Sequence, residues 1–132
     1  MAGFPNIAHV VITIRDLEVS RPWYTRLFGT DPVLEENTGP FTHCVWLLPN
    51  GQLVSLHQFW DQPNMDAFDE RRLGLDHLAF GVATRAELEE WAGKLDELGI
   101  EHGKIIDASY GSGMAFRDPD NIQLEFFAPP GT

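Results

Sequence analysis

The sequence predicts an α+β fold of two tandem βαβββ modules, and three observations predict it. Two segments repeat 68 residues apart: Ala8-His9-Val10-Val11 against Asp76-His77-Leu78-Ala79, and Ser55-Leu56-His57-Gln58-Phe59 against Gln123-Leu124-Glu125-Phe126-Phe127. In each copy an apolar, strand-like run precedes a helix-like pattern stopped by Gly29 or Gly99, and three extended stretches follow. The length of 132 residues with 43% apolar content supports one domain with a core and leaves no room for two independent ones. Residues 7–60 form the first module, 61–74 a connector and 75–128 the second module of this single domain, 1–132.

Residues 7–14 (IAHVVITI) are β-branched and apolar and read as a mostly buried strand ending at Arg15-Asp16. In LEVSRPWYTRLFG, residues Leu17, Trp23, Leu27 and Phe28 suit a helix ended by Gly29, with Pro22 expected in its first turn. Extended stretches follow near 32–37, 42–48 and 52–59, the last two joined by a tight turn at Pro49-Asn50-Gly51. Residues 61–74 (DQPNMDAFDERRLG) carry charges, a proline and no apolar period, as a connector or a lid over a site would. The strand LDHLAFGVA opens the second module. Thr84 then caps the helix TRAELEEWAGKLDELG, with Glu87 at the capping-box position and Leu88, Trp91, Leu95 and Leu98 as its apolar stripe. Gly99 ends it, and strands near 103–107, 113–117 and 121–128 complete the second unit.

Nine basic and twenty acidic residues give a net charge of −11. That charge disfavours nucleic acid and anionic membranes as partners and suits a cation, although an ordinary solvated acidic surface also explains it. A single cysteine, Cys44, excludes an intrachain disulfide and a thiolate metal cluster. No apolar run approaches the roughly 20 residues of a membrane span. The opening MAGFPNIAHVV lacks the parts of an export signal, so a cytoplasmic location is expected.

The repeat also places polar side chains at matching positions, His9 with His77 and His57 with Glu125, so that His9 and His57 in one module and His77 and Glu125 in the other are each 48 residues apart. Alternation along a strand puts His9 on a face with Val11 and Thr13, His57 with Ser55 and Phe59, His77 with Ala79 and Gly81, and Glu125 with Gln123 and Phe127. The intervening Val10, Leu56, Leu78, Leu124 and Phe126 would pack on the helices, leaving the other face to line a small-molecule cavity. An ionised Glu125 within an apolar strand needs a cationic partner. Taken singly, a strand histidine is more often a hydrogen-bonded core residue, and Glu125 has Arg15 or Arg117 as an alternative partner. Four imidazole and carboxylate donors at equivalent places of two modules point instead to one shared divalent metal. His43 and His102 have no such counterparts and read as surface or loop histidines.

The strand ending in His9, the segment LDHLAFGV and above all FRDPDNIQLEFF, where Phe116-Arg117-Asp118-Pro119-Asp120 leads into Glu125, resemble the vicinal oxygen chelate superfamily of glyoxalases, bleomycin and fosfomycin resistance proteins, epimerases and extradiol dioxygenases. The resemblance covers nearly the whole chain. It implies two paired βαβββ modules curling a mixed sheet around a metal cavity. It places His9, His77 and Glu125 on the usual ligand positions, and His57 where glyoxalases carry glutamate and epimerases glutamine. The implied cofactor is one divalent ion: Fe, Mn, Ni, Zn or Co. Relatives of this kind are often homodimers, and the tail Phe126-Phe127-Ala128-Pro129-Pro130 is expected to be exposed and available for such a contact.

If His57 binds, three imidazoles and one carboxylate leave about two coordination positions for adjacent substrate oxygens. If it does not, two histidines and a carboxylate form the facial triad of non-haem iron oxygenases, and His57 becomes a general base or proton donor. The favoured expectation is a glyoxalase-like lyase or isomerase acting on a small molecule with vicinal oxygens through a metal-stabilised enolate, with Glu125 or His57 moving the proton. The alternatives are a small extradiol ring-cleaving dioxygenase and a non-catalytic drug-binding resistance protein. Phe59, Trp60, Phe80, Tyr110 and Phe127 are the expected substrate-pocket aromatics, although core packing also explains such residues.

Overall fold

The computed structural model describes residues 3–132. Its elements run β1 (His9–Thr13), α1 (Leu17–Phe28), β2 (Leu34–Asn37), β3 (Phe41–Leu47), β4 (Leu53–Phe59), β5 (Leu78–Gly81), α2 (Arg85–Glu97), β6 (Ile106–Ala108), β7 (Gly111–Arg117) and β8 (Gln123–Ala128). This is the predicted βαβββ order, twice. The chain divides after Met65 into two units with one module each. Each unit has a mixed four-stranded sheet, ordered β1-β4-β3-β2 in the first and β5-β8-β7-β6 in the second. No helix among the described residues is long and apolar enough to cross a membrane.

In the first unit β1 runs parallel to β4, while β4–β3 and β3–β2 are antiparallel. Alternation sends Ile12, Cys44, Trp46, Val54 and Leu56 into a core shared with Tyr24 and Leu27 of α1. A fully buried side chain of this size stabilises by about 1.5–3 kcal/mol. The buried indole of Trp46 keeps its hydrogen bond by donating to the Thr30 carbonyl at 3.1 Å. Asp16 caps α1 by accepting from the Glu18 amide, and the Gln58 side chain of β4 accepts from the Leu17 amide at 2.7 Å. Pro22 lies inside this helix, not in its first turn, because the cap sits at Asp16. Its ring leaves the Glu18 carbonyl without the usual helical donor, on a side of the helix open to water. The turn after β3 closes through Gly51, at φ 88°, whose amide donates to the Leu48 carbonyl.

The second unit repeats the plan with Leu88 and Leu95 of α2 packed on Met114, Phe116, Leu124 and Phe126. Trp91 stacks on Phe126 at 4.3 Å between ring centres. The predicted cap forms with its return bond shifted by one residue: Thr84 accepts from the Glu87 amide, and Glu87 reaches back to the amide of Ala83, just before the cap, at 2.8 Å. The terminal stretch is exposed only at its end: Phe126 and Ala128 are buried on the helix face of β8, whereas Pro129 and Pro130 are exposed. Residues 61–74 hold neither helix nor strand. Part of this stretch is nevertheless tied down: the Phe68 amide donates to the Asp120 carbonyl at 2.9 Å and Asn121 donates to the Phe68 carbonyl at 3.0 Å.

Candidate functional site

The Phe116-to-Glu125 motif can be followed atom by atom. Asp118, 5% exposed, turns its Oδ1 onto the amides of Asp120 and Ile122, both at 2.8 Å, and so satisfies the turn from the inside. Asn121 takes the left-handed conformation, φ 67°, that the turn requires. The chain leaves the turn as β8 with Leu124 and Phe126 against the helix and Glu125 on the opposite face. There Glu125 lies between Ala79 of β5 and Ala115 of β7. A Cβ added at nearby Gly113 would stand 3.1 Å from the Glu125 carboxyl carbon. Small neighbours therefore leave the carboxylate room.

His77 immediately precedes β5. Its Nδ1 donates to Asp76 Oδ1 at 2.8 Å, which leaves Nε2 directed at Glu125 Oε1, 3.8 Å away. Asp76 is held in turn by the Gln123 side chain at 2.8 Å, and Gln123 accepts from Arg117 at 3.2 Å. Arg117 grips Glu70 through two bonds of 2.6 and 3.1 Å. A continuous polar chain thus runs from Glu70 to the His77 ring and fixes which nitrogen faces Glu125. Arg117, weighed above as a partner for Glu125, is engaged by Glu70. Its guanidinium, by direct hydrogen bonding, pulls the Glu70 carboxyl down to about 2.

The first unit is built on the same plan with a different register. Pairing sets Ala79 against Glu125 in the second unit, two positions after His77; it sets Val11 against Ser55 in the first, two positions after His9. By register, the counterpart of Glu125 is therefore Ser55. His57 pairs with Thr13, one rung further along the same face and about 13 Å from the level of His9 at the usual rise per residue. Equal spacing in sequence concealed this shift. The stretch from helix cap to closing glycine is two residues shorter in the first module, Asp16 to Gly29, than in the second, Thr84 to Gly99. The structure brings His77 and Glu125 together and does not set His9 beside His57.

His57 occupies a different cluster. One rung of the sheet carries Thr13, His57, His43 and Glu36 on adjacent strands. The His57 ring stacks on Phe41 at 4.0 Å between centres and meets the edge of His43 at 5.3 Å. Burial, and then the neighbouring His43, lower the His57 pKa, so its imidazole is neutral at pH 7. His43, read from sequence as a surface or loop residue, is a strand residue of this rung with Nε2 3.4 Å from Glu36. His102 is likewise not loose: it bridges to Phe116, and both ring nitrogens donate, to the Gly103 carbonyl at 2.8 Å and to Asp96 at 2.9 Å. Among the described residues no group of three or more His, Cys, Asp or Glu side chains is arranged to hold a metal ion.

The expected pocket aromatics divide. Tyr110 and Phe127 stack at 6.5 Å between ring centres and line a hollow of about 380 Å³ that also reaches Glu125. Phe59 stands beside Phe41 on the His57 face, and Trp60 covers Gly39 while donating to Thr42 at 3.2 Å. Phe80 is a correction: it points to the helix face, 5.9 Å from Phe126, because it alternates with Ala79 and Gly81. Cys44 is buried, and burial pushes its thiol up to about 12, which makes it a packing residue.

Sequence reasoning missed Asp76 and Gln123 as site residues and weighed Arg117 only as a partner of Glu125. Their one sequence signal is position, since Arg117 and Gln123 alternate onto the Glu125 face.

None of the curated proteins compared matches the chain. A glyoxylase/bleomycin resistance protein/dioxygenase domain from Frankia sp. EAN1pec is 31% identical over 96% of this chain and 99% of its own, with a TM-score of 0.85. A glyoxalase family protein from Enterococcus faecalis is 26% identical over 94% and 98% of the two chains, with a TM-score of 0.78. A point mutant of the genomically encoded fosfomycin resistance protein FosX from Listeria monocytogenes, solved with Mn(II) and 1S,2S-dihydroxypropylphosphonic acid, shares the fold at 18% identity over 98% and 94%, TM-score 0.71. Residues 6–126 match the family model described as Glyoxalase/Bleomycin resistance protein/Dioxygenase superfamily, and the chain belongs to that superfamily.

Proposed function

We propose that this protein is a divalent-metal-dependent lyase or isomerase acting on a small substrate with vicinal oxygens. The observation that supports this reading is the His77–Glu125 pair, with the outer ring nitrogen anchored on Asp76 and the inner one 3.8 Å from the carboxylate. Two donors each about 2.1 Å from one ion and at right angles would be about 3.0 Å apart, so a shift of less than about 1 Å would let both bind. Imidazole nitrogen with carboxylate oxygen suits a transition metal, and a ligand histidine ordinarily donates its other nitrogen to a carboxylate, as His77 does.

His9 is the third ligand of the proposal, supplied by the same chain or by a second copy in a homodimer. His57 takes the role of proton acceptor, for which a neutral imidazole is suited. Glu125 is then committed to the metal. The bound ion would supply Lewis-acid stabilisation to the charge developing on the substrate oxygens as a proton leaves the adjacent carbon.

One observation favours a second reading. With His57 outside the ligand set, His9, His77 and Glu125 would make a facial triad suited to ring-cleaving dioxygenase chemistry. The loss of Phe80 from the pocket aromatics and the glycine- and lysine-lined hollow beside Glu125 favour proton transfer over catechol binding.

The test is metal content after anaerobic loading for native protein and for His77→Ala, Glu125→Ala, His57→Ala and His102→Ala, followed by exchange of substrate C–H for deuterium across α-hydroxycarbonyl compounds in D2O. The expected result is about one metal per native chain, lost with His77 or Glu125 and kept with His57 or His102, together with exchange that needs His57. Oxygen uptake with catechols on the iron-loaded protein would move the assignment to the second reading. No metal uptake by the native protein would overturn both and leave a non-catalytic binding protein.

A further inference from the structure

We infer that the hollow beside Glu125 is a subsite for the oxyanion of a small substrate, a carboxylate, phosphonate or phosphate, with Lys104 as its counter-charge. The inference deepens the proposed function by naming the substrate class of the same site.

The hollow, about 380 Å³, belongs wholly to the second unit and lies within the range of small-molecule sites. Glu125 and Lys104 both line it. The part of the lining that β7 supplies is almost bare: Gly111, Gly113 and Ala115 present no side chain larger than a methyl group. These glycines answer to their surroundings. A Cβ at Gly111 would collide with the Phe127 ring, and one at Gly113 would crowd the Glu125 carboxyl. Side-chain-free backbone beside a reactive carboxylate lets a ligand lie directly on the strand. The stacked Tyr110–Phe127 pair supplies a flat apolar wall, and Tyr110 is 74% exposed although it is a large aromatic.

Charge decides what would lie there. The chain carries −11 overall, and most of this unit's cations are committed. Arg71, Arg72, Arg85 and Arg117 are in ion pairs, and Lys94 lies 4.5 Å above the Trp91 ring. Lys104 is the one lysine or arginine of this unit without an ion pair, side-chain hydrogen bond or ring contact among the described residues, and it lines the hollow. A carboxylate and an unpaired ammonium lining one small hollow, without pairing with each other, suit a ligand that spans them. Its oxyanion would meet Lys104, its body the glycine floor and aromatic wall, and its reacting carbon would lie towards Glu125. A neutral ligand would leave the ammonium unused, and a cationic one would be repelled by it.

The experiment is an amide NMR titration of the full-length protein, held metal-free with chelator, using phenylphosphonate, benzoate and neutral benzamide. Expected are saturable shifts of the Gly103, Gly111 and Gly113 signals with at least one oxyanion and much weaker ones with benzamide. Affinity should fall about tenfold in Lys104→Gln and stay unchanged in Lys94→Gln. The tighter oxyanion distinguishes a phosphonate-like from a carboxylate-like group. No saturable shift, equal binding of benzamide, or equal binding by Lys104→Gln would overturn the subsite. Because no metal is present, loss of the metal reading leaves this result standing, and failure here leaves the metal reading intact.

Discussion

Replacing Gly113 with alanine separates the fit of the fold from the fit of the site. The added Cβ would stand 3.1 Å from the Glu125 carboxyl carbon and Oε2, and 3.3 Å from Oε1. Gly113 is not among the glycines at positive φ, so its backbone accepts alanine without strain. Reduced freedom of the unfolded chain stabilises by about 0.4–1 kcal/mol. Turning the Glu125 side chain out of the way by roughly 30° costs about 0.5–1.5 kcal/mol. These terms nearly cancel, so folding stability should change by less than about 1 kcal/mol and the melting temperature by no more than about 5 °C. The carboxylate, however, is displaced from the position it holds 3.8 Å from His77 Nε2, and metal affinity should fall about tenfold or more. Thermal melting and calorimetric titration of the metal-free protein with Mn(II) or Ni(II) read the two effects separately. A folded Gly113→Ala protein with native metal affinity would refute the assignment of Glu125 as a ligand positioned by its small neighbours.

Three further outcomes are expected. In histidine-detected NMR, His57 should titrate below 6.5, where burial disfavours its charge, and His102 above 6.5, where the Gly103 carbonyl and Asp96 both accept from its ring; the reverse order would contradict the geometry. For stability, the His102 contribution is present below pH 6.5 and disappears as pH rises through its raised pKa, whereas the His57 environment destabilises the fold as pH falls below 6.5. Glu70, lowered to about 2 by Arg117, contributes stability that is complete above pH 4.5 and lost as pH falls towards 2; Arg117→Gln should flatten that part of the acid-unfolding profile measured by circular dichroism. Gly93→Ala, in the interior of α2 with nothing within 4 Å of the new Cβ, should raise denaturant stability by about 0.5–1 kcal/mol without changing metal affinity.

Much of the architecture was legible in the chain. Thr84 with Glu87, Gly29 and Gly99, and the apolar stripe of α2 mark helix ends and faces through local chemistry, which depends on neighbours within a few residues. Strand alternation likewise separated Leu124 and Phe126 from Glu125. Pro22 was misplaced because a cap at Asp16 competes with proline's preference for a first turn, and the Asp16 side chain supplied the cap.

By itself the sequence determined the duplicated βαβββ order, the cap of the second helix and the closing glycines of both, the face on which each candidate ligand lies, and the motif that turns the chain into β8. Each depends on local spacing or on the fixed period of a strand. Only the tertiary structure decided which residues stand opposite one another. Strand register is set by packing and by the length of chain between the strands, so a difference of two residues between the helical segments puts Ser55 where equal spacing had put His57. Long-range pairing likewise joined Glu70 to Arg117 and Asp76 to Gln123, and gathered Lys104, Gly113 and Glu125 around one hollow. Hydrogen bonds and hollows of this kind join residues far apart in the chain, and no local pattern specifies them.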